Sequence, residues 1–556
     1  MYVVLSRSPR GIDALRLDDD GSTAADVETV AEAALPTWVA RLERERPRWV
    51  WDDTTRWYPR LLDAGVRVER CVDLRLSHQL LRGSTLTATS ALARSAPGPW
   101  DRATPLAQKA DTHGALFDLD DDPVAAAPTD PATEFAAQRD AIATADEPGR
   151  ISLLLAAESA GALVACEMKF AGLPWHADVH ERLLTDLLGD RPRGSERPAK
   201  LEALLGRMRA ILATDDVNPD SPAEMLKTLR RAGLQVASTR SWELREVKHP
   251  VIEPLLEYKK LSRLQTANGW NWLDTWIADG RFRPDYVPGG AATGRWGASG
   301  GGALQLPKQI RGAVIADPGW KLVVADAAQL EPRILTALSA DRAMAEAGRG
   351  DLYEGIVASG AVATRAEAKV AMLGAMYGAT AGDGGRLMPA LTRAFPRAIA
   401  VVEAAARVGE RGEIVTTRLG RSSPPPGEAW RELQESATVA GAGEGLQRAA
   451  RGQSRSWGRF TRNFIVQGTA AEWALCWMAG LRGRLYGLAD GRFVDRPHLV
   501  FFLHDEVIVH TPAELADQVV EQLEAAASEA GRLIFGQMPV RFPITTAVVD
   551  DYGQAK

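Results

Sequence analysis

The stretch FFLHDEVIVH, residues 501–510, constrains the fold of this chain more than any other. Two apolar runs of strand length flank His504, Asp505 and Glu506. This pattern reads as strand, tight turn, strand, with both arms buried. The arms carry two adjacent carboxylates to a place where like charges repel and burial is costly. A second apolar run, WKLVVAD at 320–326, also has strand length and also ends in a carboxylate, Asp326. Acidic groups at strand ends can converge on one edge of a sheet. A cluster of that kind is unstable alone and is resolved by a divalent cation, and hard oxygen donors suit Mg2+. Two such ions about 4 Å apart clamp an in-line phosphoryl displacement. Taken singly, an Asp in either motif more often simply caps a turn.

Two further segments repeat chemistry every four residues. In TRAEAKVAMLGAMYG, 364–378, Arg365, Lys369, Leu373 and Tyr377 fall along one helical face. Two cations followed by an aromatic ring suit a triphosphate and then a base. In RFTRNFIVQGTAAEWALCWMAG, starting at Arg459, the repeating residues are Arg459, Asn463 and Gln467. Asn and Gln offer donors and acceptors to base edges and sugars. Gly468, Thr469, Ala470 and Ala471 are small and admit a closely approaching backbone or substrate. A solvated basic face and a tightly packed amphipathic helix explain the same spacings without function. The order and mutual spacing of the segments decide between the readings.

A chain of 556 residues makes several compact units. Its net charge of −6 argues against a protein that coats polyanions over its whole surface, while a local basic groove stays compatible with nucleic acid. The three cysteines, Cys71, Cys166 and Cys476, form no CxxC, which suits a reducing compartment and supplies no zinc site. MYVVLSRSPRG lacks the apolar core of a signal peptide. The most apolar long segment, LLLAAESAGALVACEM, contains Glu158 and Glu167, which argues against a membrane span. A soluble, cytoplasmic, nucleoid-associated monomer is expected.

In order along the chain, these motifs resemble the bacterial DNA polymerase I family (family A). DAAQLEPR, 326–333, is similar to the family's first palm motif, DYSQIELR. The pattern from Arg365 to Gly378 is similar to its fingers helix, LHDEV to its second palm motif, and NFIVQGTAAE to N-x3-QGTAAD. TGRWGASGGGALQLP keeps the length and the Arg, here Arg295, of the family's TGRLSS…NIP loop. VNPDSPAEMLKTL and LLEYKKLSRLQ resemble thumb segments, and VVDDYGQAK the family's C-terminal stretch. The resemblance spans roughly residues 150–556.

It implies an α/β multidomain right hand: an antiparallel palm sheet with helical thumb and fingers, preceded by an α/β RNase H-like exonuclease-type domain. The expected divisions are 1–148 for the exonuclease-like domain and 149–290 for the thumb and linking helices. The palm is expected at 291–340 and 451–556, with the fingers at 341–450. The implied activity is templated addition of deoxynucleotides to a primer 3′ end with two Mg2+ ions, Mn2+ being a substitute. The implied partners are primer–template DNA and dNTPs, in repair or gap filling. By resemblance, Asp326 and Asp505 hold metal, together with the backbone carbonyl of Ala327, and Glu506 assists. Arg365 and Lys369 contact triphosphate, with Lys369 the proton donor to pyrophosphate. Tyr377 stacks near the nascent pair, Glu331 blocks a ribose 2′-OH, and Gln329 and Leu373 also belong to the substrate side. Arg295, Arg459, Asn463, Gln467 and His504 contact the primer–template duplex.

Departures from the family pattern qualify this. Ala327 and Ala328 replace Tyr-Ser, and Pro332 replaces Leu in a first helical turn, where Pro is tolerated. Leu373 stands in place of Phe or Tyr, which leaves sugar discrimination open, and Tyr353 stands in place of a His that helps hold triphosphate. GASGGG replaces a more polar loop. A non-catalytic primer–template binder and a polymerase with relaxed sugar selection are the alternatives.

In the first 148 residues, RWVWDDTTRWYPRLLDAGVRVERCVDLRLSHQLL resembles the centre of a 3′–5′ proofreading domain. No Asp-x-Glu lies on a strand in the first 50 residues, Trp57 takes the place of the second-motif Asp, and FAAQRD, ending in Asp140, only loosely matches the third motif. A degenerate domain without nuclease activity is expected. An N-terminal flap nuclease domain and its activity are expected to be absent. His176 and His180 have metal-ligand spacing but no third ligand, which points to surface or packing roles.

Overall fold

The computed structural model describes residues 1–102, 130–194, 196–298, 302, 306–379 and 382–555. The chain divides into two compact units. The first contains Met1–Ala171, Asp285–Ser299 and Val323–Ala547; the second contains Gly172–Pro284, Gly300–Leu322 and Val548–Lys556. The first unit thus takes the N-terminal region together with most of the segments expected to form palm and fingers. Residues 299–301, half of GASGGG, and residues 103–129 lie outside the described residues.

The first unit begins with a five-stranded sheet. Its strands are β1 (Tyr2–Ser8), β2 (Gly11–Leu17), β3 (Glu28–Val30), β4 (Arg48–Trp51) and β5 (Arg70–Asp73), in the order β3-β2-β1-β4-β5. β1 pairs antiparallel with β2 and parallel with β4, and β4 pairs parallel with β5. RWVW supplies three fully buried residues to β4 because both faces of that central strand are covered. The helix Thr54–Asp63 follows, and Gly65 takes a left-handed conformation (φ 75°) just past its end.

The apolar helix Pro148–Ala171 is long enough to cross a membrane by length and composition, yet most of it is buried inside this unit. Its two carboxylates explain the placement. Glu158 accepts from Arg421 at 2.7 Å. Glu167 accepts from Tyr58 at 2.5 Å, from Arg67 at 3.0 Å and from Arg482 at 2.7 and 2.8 Å. Buried charges of this sort are tolerated when paired and hydrogen-bonded.

A four-stranded sheet carries the site. Its strands are β6 (Trp320–Ala327), β7 (His498–Leu503), β8 (Glu506–Pro512) and β9 (Ile544–Val549), ordered β7-β8-β6-β9. The helix Glu444–Tyr486 runs 43 residues, far longer than the 459–481 that spacing suggests. Gly445, Gly452 and Gly458 weaken its N-terminal half as a local signal. Packing overrides them: a Cβ on Gly458 would lie 2.9 Å from the carbonyl of Ala406.

The second unit holds the helices expected for a thumb, among them Ala199–Leu212 and Ile252–Asn268. Trp175, His180, Trp272 and Phe282 form an aromatic knot with ring centroids 5.1–6.0 Å apart. His180 is buried, bonds the Asn268 carbonyl through Nε2 at 3.0 Å and is driven down to about 4 by burial. His176 is exposed. Their spacing therefore serves packing rather than metal.

Candidate active site

The β7–β8 hairpin pairs Leu503 with Glu506, so His504 and Asp505 are its two turn residues. His504 adopts a left-handed backbone (φ 59°), a conformation that His enters more readily than most residues. The Asp505 N–H donates to the Leu503 carbonyl at 2.7 Å, which tightens the turn. The Asp505 carbonyl accepts from the Ala327 N–H at 2.8 Å. That bond sets the hairpin tip beside the end of β6 and brings Asp505 next to Asp326. Both carboxylates are half-buried, whereas Glu506 is 2% exposed. No group of three or more His, Cys, Asp or Glu side chains is gathered tightly enough to form a complete metal cage among the described residues. The two half-buried carboxylates at a strand end are an open, hard-oxygen donor set of the kind Mg2+ accepts with water and substrate oxygens.

Glu331, in the first turn of the helix Leu330–Ser339, links two other site residues. Its Oε1 accepts from Arg295 and its Oε2 accepts from the Tyr377 hydroxyl at 3.3 Å. Burial and the Glu331 charge push the Tyr377 phenol up, and the Gln467 amide lies within hydrogen-bonding reach of the same hydroxyl. Burial and the repulsion of Arg295 push His504 down, which favours a neutral ring beside the turn. Gly294, Arg295, Ala470, Ala471, Phe502 and Asp505 help to line one recess here. Gly468 serves a different neighbour: a Cβ there would lie 2.5 Å from Thr417 Cγ2.

The helix Arg365–Tyr377 is capped by Thr364, whose side chain accepts from the Glu367 N–H, and it ends at Gly378 in a left-handed conformation (φ 71°). Arg365, Lys369, Leu373 and Tyr377 are all exposed, so the spacing of four does place them on one open face. Arg365 donates to Asp351 at 2.9 Å, and its guanidinium lies 5.4 Å from the centroid of the Tyr353 ring. The helix is tied to Glu444–Tyr486 by Arg462, which donates to the Ala375 carbonyl at 2.8 Å. At the helix end, a Cβ on Gly378 would lie 2.8 Å from Arg459 Cγ. Asn463 keeps a buried Oδ1 without a hydrogen-bond partner among the described residues.

Gln329 sits at the N-cap with a left-handed backbone, and its Oε1 accepts from the Leu352 N–H at 3.0 Å and from Arg333 at 3.2 Å. Its side chain is therefore engaged in holding the Asp351 segment. Three residues escaped the sequence reading. Arg333 is 2% exposed and donates to the carbonyls of Gly348 and Gly350 at 2.6 Å each, ordering the segment that leads to Asp351. Tyr286 bonds both backbone groups of Phe502, donating at 2.8 Å and accepting at 3.0 Å. Trp296 packs between Tyr286 and Phe502 at centroid distances of 5.2 and 5.1 Å. The only sequence signals were the Arg that closes DAAQLEPR and the Trp that follows Arg295.

In the N-terminal region, β1 reads YVVLSRS and bears no carboxylate. Trp57 is buried, and its indole donates to Asp52 at 2.5 Å. Asp53 caps the helix Thr54–Asp63 and accepts from Arg75 at 2.7 Å. Asp73 accepts from the N–H groups of Thr54 and Leu76, and burial followed by the Asp53 charge pushes it up to about 6. Asp140 is exposed on the helix Pro131–Ala143. The buried acids here are occupied as caps and ion-pair partners.

The model of DNA polymerase family A matches residues 195–553. The chain is 25% identical over 354 residues to the thermostable DNA polymerase I of Thermus thermophilus, a stretch that covers 57% of this chain and 38% of that protein. It is 25% identical over 352 residues to DNA polymerase I of Chloroflexus aurantiacus, covering 56% and 34%. Against DNA polymerase I of Pseudomonas aeruginosa it is 30% identical over 187 residues, covering 30% and 20%. The chain thus spans well under half the length of these relatives. Among solved structures, it matches the POL domain of Pol1 from M. smegmatis, solved in complex with DNA primer-template and dNTP. The TM-score is 0.66 at 18% identity, covering 100% of this chain and 95% of that one, and it bears on fold alone. The α/β architecture is accordingly that of the right-hand polymerase fold. On the extent of the family match, the chain belongs to DNA polymerase family A.

Proposed function

We propose that this protein is a template-dependent DNA polymerase that extends a primer 3′ end with deoxynucleotides. The observation that carries this reading is the hydrogen bond from the Ala327 N–H to the Asp505 carbonyl, because it brings Asp505 beside Asp326. Asp326, Asp505 and the Ala327 carbonyl would hold Mg2+, with Mn2+ as a substitute. Such an ion, when bound, polarises phosphoryl oxygens and neutralises developing charge. The chain's own residues do the rest by positioning. Arg365 and Lys369 face solvent on one helical row and offer donors to a triphosphate. Lys369 is the proton donor to pyrophosphate in this reading. Tyr377 presents its ring for stacking while Glu331 holds its hydroxyl. Glu331 also narrows the space for a ribose 2′-OH. Arg295, Arg459, Asn463, Gln467 and His504 take the duplex, and Glu506 assists from its buried position.

Gap filling in repair, by a cytoplasmic monomer associated with the nucleoid, is the setting proposed. Proofreading is absent in this reading, because β1 has no carboxylate and Asp53 and Asp73 are engaged in caps. A polymerase with relaxed sugar choice is a second reading, favoured by Leu373, which is 38% exposed and smaller than an aromatic ring.

Primer extension with Mg2+ and each dNTP or rNTP tests this, comparing the wild type with Asp326→Asn and Asp505→Asn. Either substitution should lower the rate by about 1,000-fold or more, matching the several kcal/mol that metal-held charge supplies, with an unchanged melting temperature. A wild type that binds primer–template and extends nothing overturns the polymerase reading. Extension retained by both Asn variants removes the metal assignment.

A further inference from the structure

The hairpin that presents Asp505 is held on its inner side by β6, through the bond from the Ala327 N–H. Its outer side is an edge, because β7 ends the strand order β7-β8-β6-β9. An edge strand turns the N–H and C=O of every second residue away from the ladder, and such groups need partners when they are buried. At Phe502, which is buried, one side chain takes both. The Tyr286 hydroxyl donates to the Phe502 carbonyl at 2.8 Å and accepts from the Phe502 N–H at 3.0 Å. Burial pushes the Tyr286 phenol up, so it keeps the proton it donates. Leu503 pairs with Glu506 to close the turn, and Phe502 pairs with Val507 one rung below. The phenol therefore grips the outer edge of the hairpin close to its tip.

The grip is itself held in place. Tyr286 and Val287 pair with Ala298 and Gly297 in a two-rung antiparallel ribbon, and Trp296 stands just before the second strand. Its ring lies 5.2 Å from Tyr286 and 5.1 Å from Phe502 between centroids, edge-on to the latter at 77°. The ring makes these contacts, whereas its buried N–H has no acceptor among the described residues. Gly161, on the helix Pro148–Ala171, leaves room for the indole: a Cβ there would lie 3.4 Å from Trp296 Cζ2. The ribbon is close-packed too, since a Cβ on Gly290 would lie 2.9 Å from the Gly297 nitrogen. The same segment supplies Arg295, which donates to Glu331. One short ribbon thus ties the hairpin tip to the first turn of the helix Leu330–Ser339.

We infer that Tyr286 and Trp296 are positioning residues that fix where Asp505 stands relative to Asp326. The inference rests on the metal-holding reading of that pair. β6 fixes the turn through the Asp505 carbonyl, and the phenol fixes it through Phe502 from the opposite side. A carboxylate on a turn held from both sides keeps one separation from its partner, and Mg2+ tolerates little departure from its preferred geometry. Removing the phenol frees the outer side alone. The loss falls on metal binding and on the chemical step. It spares the hold on a triphosphate, because Arg365 and Lys369 lie on a different helix.

Mn2+ titration of the full chain, followed by electron paramagnetic resonance, tests this on the wild type, Tyr286→Phe, Trp296→Phe, Trp296→Ala and Asp505→Asn. Primer extension is measured alongside as a function of Mg2+ and of dNTP. Tyr286→Phe should weaken Mn2+ binding about tenfold and lower kcat by roughly 10- to 100-fold, with KM for dNTP near the wild-type value. Its Mg2+ midpoint should rise by a similar factor. Trp296→Ala should follow Tyr286→Phe, and Trp296→Phe, which keeps a ring against Tyr286 and Phe502, should stay close to the wild type. A lower melting temperature in Tyr286→Phe with an unmoved Mn2+ affinity and Mg2+ midpoint overturns the inference, because the phenol would then serve stability alone. In that case Mn2+ binding that Asp505→Asn still weakens leaves the metal assignment standing. Mn2+ binding that Asp505→Asn leaves unchanged counts against the metal assignment itself, and the inference falls with it.

Discussion

Glu167 and the pair Asp326–Asp505 both gather charge in the first unit, with opposite outcomes. Around Glu167, two guanidiniums and a phenol fill the carboxylate's hydrogen-bonding capacity, and its side chain is 5% exposed. Arg482 goes on to the carbonyls of Val68 and Glu69 at 2.5 and 2.7 Å. Burial pushes the Glu167 carboxyl upward, and the charges of Arg482 and Arg67 outweigh that push, leaving it below the usual range. Around Asp326 and Asp505, the carboxylates stay half-buried at a strand end, where the Ala327 N–H to Asp505 carbonyl bond joins the hairpin turn to β6. The first arrangement is internally neutralised and joins the helices Thr54–Asp63, Pro148–Ala171 and Glu444–Tyr486. The second sits half-buried at the edge of a sheet. A protein closes such a cluster where it needs rigidity and leaves one open where a ligand must complete it.

The largest expected effect comes from breaking the closed cluster. Glu167→Gln leaves two buried guanidiniums without their anion and should cost about 3–5 kcal/mol of stability, read as a lower urea midpoint. A change below about 1 kcal/mol would mean that water or backbone carbonyls replace the carboxylate, and the contrast with the open site would lose its basis.

A smaller effect isolates what the guanidiniums contribute. Glu472 is as buried as Glu167 and lies on the helix Glu444–Tyr486, as Arg482 does, but its nearest donors are the Thr417 hydroxyl and the Leu419 N–H at 2.9 Å. Burial, only partly offset by these bonds, pushes it up to about 7. A carboxyl raised in the folded state contributes stability that is fully present below the unfolded value near 4.5. That contribution is lost as pH rises through about 7. Stability should therefore decline from pH 5 to pH 8 by roughly 1–3 kcal/mol through this group, and Glu472→Gln should flatten that decline in melting curves taken across the range. An identical pH profile in the variant would assign the titration to another residue.

The smallest effect probes the open site. Tyr353 stacks beneath Arg365 while Asp351 holds its Nη2. Tyr353→Ala should raise KM for dNTP about two- to fivefold, the equivalent of an exposed cation–π contact, with little change in kcat. Tyr353→Phe should stay near wild type. If Phe behaves like Ala, the phenol hydroxyl and not the ring is what matters.

Much of this site was legible because its signals are local. Strand-length apolar runs ending in Asp326 and in Asp505–Glu506 need only a period of two and a tight turn to be recognised. Arg365, Lys369, Leu373 and Tyr377 needed only a spacing of four. The helix Pro148–Ala171 was legible too, as a long apolar pattern interrupted by Glu158 and Glu167. What they do instead was not, because their partners, Arg421 and Arg482, lie hundreds of residues away. The N-terminal half of the long helix was hidden behind glycines that are unfavourable locally and required by close packing.

By itself, the sequence determined that two acid-tipped strands and a cation-lined helix exist, and in which order. Periodicity and turn chemistry act over a few residues and survive without knowledge of the fold. Only the tertiary structure decided that the Asp505 carbonyl meets the Ala327 N–H, that Glu331 spans Arg295 and Tyr377, and that Arg333 orders the segment bearing Asp351. It also decided that Arg462 and Arg482 of the long helix are spent inside the protein while Arg448, Arg451, Arg455 and Arg459 face outward. The reason is electrostatic: whether a charge is neutralised or left open depends on what folds against it, and no local pattern records that.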